Sequence, residues 1–243
     1  MQLLDHIYLV GSGKMGLSNF YDCHIYLIDS GSELCLIDAG TGLEVEPIIK
    51  NIRAHGFEPE AISKILVTHA HSDHAGGLAK LKAFLGAKIM TSEEEARLIE
   101  SGTDDELGLI QARAEGSYPL DYQYEHCKVE EILGNDDVIP VGKFEIKAIK
   151  VSGHSKGSLC FFVDMGYRRV LFSGDVVFYG GLIGILNCYG SDLNDYRANI
   201  DKLANLGVDA LLPGNYFFVL RHGQLWIDKA IENLKKLRMP PTW

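Results

Sequence analysis

Short apolar runs broken by glycine- and serine-rich turns recur along this chain, and stretches of helical spacing stand between them. Alternation over residues 6–10 predicts a strand, and the run over 23–29 a second one. Ser30, Gly31, Ser32 and Glu33 turn the chain, and 34–38 returns it as a third strand. A helix is expected over 43–55, with Ile48, Ile49 and Ile52 on its inner face. Residues 65–67 read as a buried strand ending at Thr68, and Leu78, Leu81 and Leu85 beyond it lie at helical spacing. A strand over 87–90 follows. Thr91 or Ser92 can then cap a helix over 93–100, with Glu93, Glu94 and Glu95 at its positive end.

The pattern weakens over 101–126, where Gly102, Gly108, Gly116 and Pro119 interrupt it and Tyr118, Tyr122 and Tyr124 add aromatic surface. A segment so long and irregular is expected to be an insertion that serves as a lid or pocket wall. Strands are then predicted over 128–133, 144–151, 159–164, 169–172 and 208–212, with a helix over 193–206 and an amphipathic one over 225–237. Residues 180–189 form a glycine-rich loop without clear periodicity. The two halves echo each other: strands, a polar turn, a helix, then the same again. Strands and helices mixed without a strict β-α-β rhythm make the chain α+β, a single domain over 1–243.

Composition sharpens this picture. An apolar share of 47% over 243 residues supports one sizeable core. A net charge of −10 argues against a broad basic surface, so no nucleic acid is expected as a partner. No apolar run reaches about 18 residues, so no membrane span is expected. The N-terminus has no basic segment leading into a long apolar one, the pattern of a secretory signal. The five cysteines lack a C-x-x-C pair, and Cys35 and Cys160 sit within apolar runs, the pattern of reduced thiols in a cytoplasmic protein. Gly11-Ser12-Gly13-Lys14-Met15-Gly16 matches G-x-G-x-x-G in letters. It leads into a strand rather than a helix, so it reads as a loop and not as a dinucleotide site.

The densest chemistry lies at the end of the strand over 65–67. His69-Ala70-His71-Ser72-Asp73-His74 packs three of the nine histidines and a carboxylate into six residues, closed by Gly76-Gly77. A tight turn points such side chains at one spot. Imidazole suits zinc, iron and similar ions, and an added carboxylate lets a second ion sit nearby. Elsewhere, a strand ending in Gly153-His154 repeats that arrangement.

Thr68 to Gly77 resembles the HxHxDH signature of the metallo-β-lactamase fold hydrolases, a superfamily with glyoxalase II-like thioesterases, lactonases, β-lactamases and persulfide dioxygenases. The resemblance extends to Gly153-His154-Ser155-Lys156-Gly157-Ser158 and Ser173-Gly174-Asp175, and so over nearly the whole chain. It implies a four-layer αβ/βα sandwich. It makes His69, His71 and His154 the first metal site, and Asp73, His74 and bridging Asp175 the second. Asp38, in Asp38-Ala39-Gly40-Thr41, would stand behind the ligands and hold the histidine loop. The family places a histidine after the last Pro-Gly; this chain has Asn215, which would complete the second site or leave it to water.

The expected protein is therefore a metal-dependent hydrolase with one or two zinc ions, iron or manganese being the alternatives. A metal-bound hydroxide would attack the carbonyl of a small ester, thioester, lactone or amide, and Asp73 would orient it and relay a proton. Lys156, Tyr179 and Tyr216 lie near ligand turns and are candidate substrate contacts. Two other chemistries occur on this fold: an iron oxygenase of the persulfide dioxygenase type, with Fe(II) on His69, His154 and Asp175, and a nuclease or phosphodiesterase. A homo-oligomer is compatible with the sequence.

Overall fold

A computed structural model describes residues 1–236 and 239–242. The first half builds a seven-stranded sheet in the order β1 (Gln2–Leu4), β2 (Ile7–Gly11), β3 (Ile25–Asp29), β4 (Leu34–Ile37), β5 (Ile62–Leu66), β6 (Lys88–Thr91), β7 (Glu131–Ile132). Its first four strands are antiparallel and its last four parallel. Between these strands come α1 (Glu46–Ala54), α2 (Ser72–Ala75), α3 (Leu78–Leu85), α4 (Glu93–Ser101) and α5 (Leu109–Ala114).

The second half builds a five-stranded sheet from β8 (Val138–Val141), β9 (Phe144–Lys150), β10 (Leu159–Asp164), β11 (Arg169–Gly174) and β12 (Ala210–Pro213), with β12 parallel to β11 and the rest antiparallel. Helix α6 (Leu193–Asn199) precedes β12 and α7 (Gly223–Leu234) follows it.

Alternation along the strands explains the layers. Tyr26, Ile28, Cys35 and Ile37 point to one face of the first sheet, where they meet Ile146, Ala148, Phe161, Val163 and Phe172 of the second. Ile25, Leu27, Leu34 and Leu36 point the other way, against Ile48, Ile52, Leu78 and Leu81 of α1 and α3. Cys160, Leu171 and Leu211 of the second sheet cover Tyr196, Ile227 and Ala230 of α6 and α7. Three apolar layers between four structural ones give the αβ/βα sandwich.

Several boundaries differ from the pattern-based expectation. Strand β1 was too short and exposed to register as alternation, and β8 was hidden by Pro140. The strand expected over 128–133 narrows to β7, because only two of its residues pair with the edge of the sheet. The helix expected over 193–206 ends at Asn199 and tightens into a 3-10 turn, Ile200–Leu203. The segment 101–126 contains one helix, α5, which starts after Gly108 in the left-handed region. The last helix ends at Leu234, with Lys235 and Lys236 in a turn beyond it; the last residue of its expected span, Leu237, lies outside the described residues. Among the described residues no helix is long and apolar enough to cross a membrane.

Candidate metal centre

Every candidate ligand sits just beyond the C-terminal end of a strand: the turn 69–74 after β5, His154 after β9, Asp175 after β11 and Asn215 after β12, with Asp38 placed likewise after β4. The turns approach so closely that two of them need glycine. A Cβ on Gly214 would lie 2.2 Å from His74 Cε1, and one on Gly174, at φ 49°, would lie 2.8 Å from Thr68 Cβ.

His69, His71 and His154 converge. His154 Nε2 is 3.0 Å from both His69 Nε2 and His71 Nδ1. Outward partners fix the protons of two rings. His154 Nδ1 donates to the Gly184 carbonyl at 2.6 Å, and a carbonyl can only accept. The Thr68 hydroxyl donates to Asp38, so His69 Nδ1 donates to Thr68 Oγ1 at 3.0 Å. Both Nε2 atoms are therefore bare lone pairs facing each other, an arrangement that a cation reconciles and a hydrogen bond cannot. Burial and the neighbouring rings hold His69 well below the ordinary histidine range, burial takes His71 down to about 3, and burial lowers His154 against the pull of Asp175. Three neutral imidazoles fit a divalent ion.

The second cluster is built differently. His74 is fully buried, with Nδ1 2.8 Å from Asp38 and Nε2 3.3 Å from Asp73 and 3.5 Å from Asp175. Burial opposes charge on His74, yet Cys23 and the carboxylates of Asp73, Asp175 and Asp38 raise its pKa well above the ordinary value. The same charge acts in reverse on Asp73: burial pushes it up, but His74 and the Asn215 hydrogen bond bring it below the carboxylate range. Asp38, at φ 63°, accepts the Thr68 backbone N–H at 2.8 Å and the His74 ring N–H. Asn215 Nδ2 donates to Asp73 Oδ2 at 2.8 Å and to Asp175 Oδ2 at 3.2 Å.

Three further residues shape the site. Glu95 is completely buried and accepts the Ala70 N–H (2.8 Å), the Ser155 hydroxyl (2.7 Å) and the Gly157 N–H (2.8 Å), tying the two histidine-bearing turns together. Tyr118, from the 101–126 segment, donates to Asp73 Oδ1 at 2.8 Å and accepts the Asp73 N–H at 3.2 Å. His24 holds the turn after β12, with its backbone N–H on Gly214 O at 2.6 Å and its ring Nε2 on Tyr216 O at 2.8 Å. Glu95 also stands in the first turn of α4, where its backbone N–H donates to the Ser92 cap while its side chain reaches the histidine-bearing turns.

A 410 Å³ cavity opens above both clusters, with Phe20, Tyr21, Leu107, Tyr118, Leu186 and Cys188 in its wall. Lys156, Tyr179 and Tyr216 are not part of that wall. Lys156 pairs with Asp195 at 3.6 Å, Tyr179 packs on Trp226 at 4.6 Å, and Tyr216 lies 4.7 Å from Phe217.

A cleft floored by bare imidazoles and carboxylates is the layout of a divalent-metal enzyme. Residues 19–215 match the family model described as the metallo-beta-lactamase superfamily, and the chain belongs to that superfamily of metal-dependent hydrolases. It is 26% identical over 211 residues to the human (Homo sapiens) acyl-coenzyme A thioesterase MBLAC2, covering 79% of this chain and 72% of that one. It is 30% identical over 168 residues to a hydroxyacylglutathione hydrolase of Pseudomonas putida, covering 68% of this chain and 51% of that protein. The fold matches that of BJP-1, a subclass B3 metallo-beta-lactamase of Bradyrhizobium japonicum, with a TM-score of 0.73, 24% identity and coverage of 96% and 89%.

Proposed function

We propose that this chain is a single-domain zinc hydrolase of small acyl thioesters and esters, with residues 101–126 forming part of the substrate cavity. The observation that carries the reading is the pair of bare imidazole nitrogens, His69 Nε2 and His154 Nε2, facing each other beside His71 beneath an open cavity. Three neutral imidazoles with an open position suit zinc. The names of two relatives, a thioesterase and an acylglutathione hydrolase, support the substrate class. The cavity wall has one lysine or arginine among the described residues, Lys14, which speaks against a polyanionic nucleic-acid substrate.

His69, His71 and His154 would hold the ion, and His74, Asp175 and Asp73 border it. A bound ion of this kind supplies water activated near neutral pH and a positive charge that polarises a carbonyl oxygen. Asp73 has the position to take the proton of the attacking water and return it to the leaving thiol or alcohol. Its carboxylate is 18% exposed toward the cavity and is kept in one orientation by Tyr118 on Oδ1 and Asn215 on Oδ2. The apolar wall formed by Phe20, Leu107 and Leu186 gives an acyl chain somewhere to lie.

The reading is tested with a panel of acyl thioesters and activated esters, before and after chelation and after zinc is restored. Chelator-sensitive hydrolysis that returns with zinc is expected. Turnover indifferent to the chelator, or oxygen uptake with a persulfide in place of hydrolysis, refutes it.

A further inference from the structure

We infer that Asn215 closes the second metal position, so that the protein carries one ion, on His69, His71 and His154. The inference rests on that three-histidine site and is independent of the substrate. The Asn215 Nδ2 atom lies 2.8 Å from Asp73 Oδ2, 3.2 Å from Asp175 Oδ2 and 3.3 Å from His74 Nε2. One amide nitrogen thus stands within hydrogen-bond reach of every side chain that a second ion would use. The chemistry of the partners decides which end of the amide faces them. Both carboxylates only accept, so the NH2 group satisfies them, whereas the amide oxygen would meet them as one acceptor against two.

The backbone around Asn215 enforces this orientation. Tyr26 donates its hydroxyl to Pro213 O at 2.6 Å, the His24 N–H donates to Gly214 O at 2.6 Å, and His24 Nε2 donates to Tyr216 O at 2.8 Å. Carbonyls on both sides of Asn215 are gripped from the β3 side, and Tyr216 is held at φ 66°. The turn has no slack with which to withdraw the amide. Turning the amide to offer its oxygen would supply a poor ligand for zinc or iron and would strip Asp73 and Asp175 of a donor. The ion-like role of joining the two carboxylates falls to a neutral amide.

The test counts and locates ions. The protein is equilibrated with excess zinc and freed of loosely bound metal by gel filtration. Its metal is then measured by mass spectrometry and placed by anomalous scattering at the zinc edge. One ion per chain is expected, among His69, His71 and His154. Asn215→His, folded by its thermal transition, is expected to hold two, the second between Asp73, His74 and Asp175. Two retained ions in the unmodified protein, or an anomalous peak beside Asn215, overturn the inference. So does a folded Asn215→His that stays at one. If that variant does not fold, the count and map of the unmodified protein decide alone. Failure to hydrolyse any acyl substrate leaves the ion count untouched and sinks only the substrate reading, whereas a protein that binds no ion sinks the three-histidine site and this inference together.

Discussion

The two halves of the centre keep opposite hydrogen-bond accounts. In the three-histidine cluster, His69 and His154 spend their single ring N–H outward, on Thr68 and Gly184, and their two bare Nε2 atoms face each other. In the neighbouring cluster donors and acceptors already match: Tyr118 and Asn215 serve Asp73, Asn215 also serves Asp175, and His74 serves Asp38. A set of acceptors without a donor calls for a cation, and a balanced set does not. Residue type alone hides this contrast, since histidine and aspartate occur in both clusters. What separates them is the partner on the far side of each ring and carboxylate.

Replacing His69, His71 or His154 with alanine gives the largest break in the comparison. Each change should cut metal affinity and kcat/KM by well over ~100-fold, more than the loss of a residue behind the ligands costs. Full metal occupancy in all three variants would sink the assignment. Glu95→Gln comes next. Its amide must face one of the two N–H groups, Ala70 or Gly157, that the carboxylate now accepts, so the histidine turns should loosen and metal affinity fall by about 10–100-fold. Competition with a chromophoric chelator measures this.

Tyr118→Phe should lower kcat by roughly 2–10-fold, the worth of one hydrogen bond to Asp73, and leave the ion count unchanged. A fall in metal content would instead tie Tyr118 to the ion. Acidity sharpens the contrast between clusters. Burial keeps His69, His71 and His154 below the ordinary histidine pKa, so uptake of the first ion displaces few protons and should vary little between roughly pH 6 and 8. His74 is shifted upward, so a second ion in Asn215→His competes with a proton and should bind more tightly as pH rises. Calorimetry in buffers of different ionisation enthalpy reads the protons released; equal release at both sites would contradict the distinction. Lys156→Ala should do least, costing about 0–1 kcal/mol of stability through its exposed pair with Asp195 and leaving KM unaltered. A raised KM would return Lys156 to the substrate.

How much of this was legible in the chain depends on where each partner lies in sequence. His69, His71, Asp73 and His74 share one turn, so spacing alone announced them. His154, Asp175 and Asn215 became legible through resemblance, because each closes a strand with a short glycine-bearing signature. Most strands were readable from their apolar runs, but their assembly into four layers was legible only through the resemblance. Glu95, Tyr118 and His24 were not readable. Their partners come from 25, 45 and 192 residues away, and their types suit more ordinary roles: a helix-capping glutamate, a loop tyrosine, a strand histidine. Tyr118 and Tyr122 read as aromatic surface. The structure turns both inward, Tyr122 donating to Thr41 O at 2.9 Å.

His69 and His71 hang from the first sheet and His154 from the second, with the apolar layer of Tyr26, Phe161 and Phe172 between them. An ion held by all three acts as a rivet through the seam between the sheets. Parting the sheets must then release the ion, so the free energy of binding is added to that of folding, by about 2.7 kcal/mol when free metal stands at 100 times Kd. The seam is a place where metal scarcity would register twice, as lost turnover and as lost stability of the protein itself.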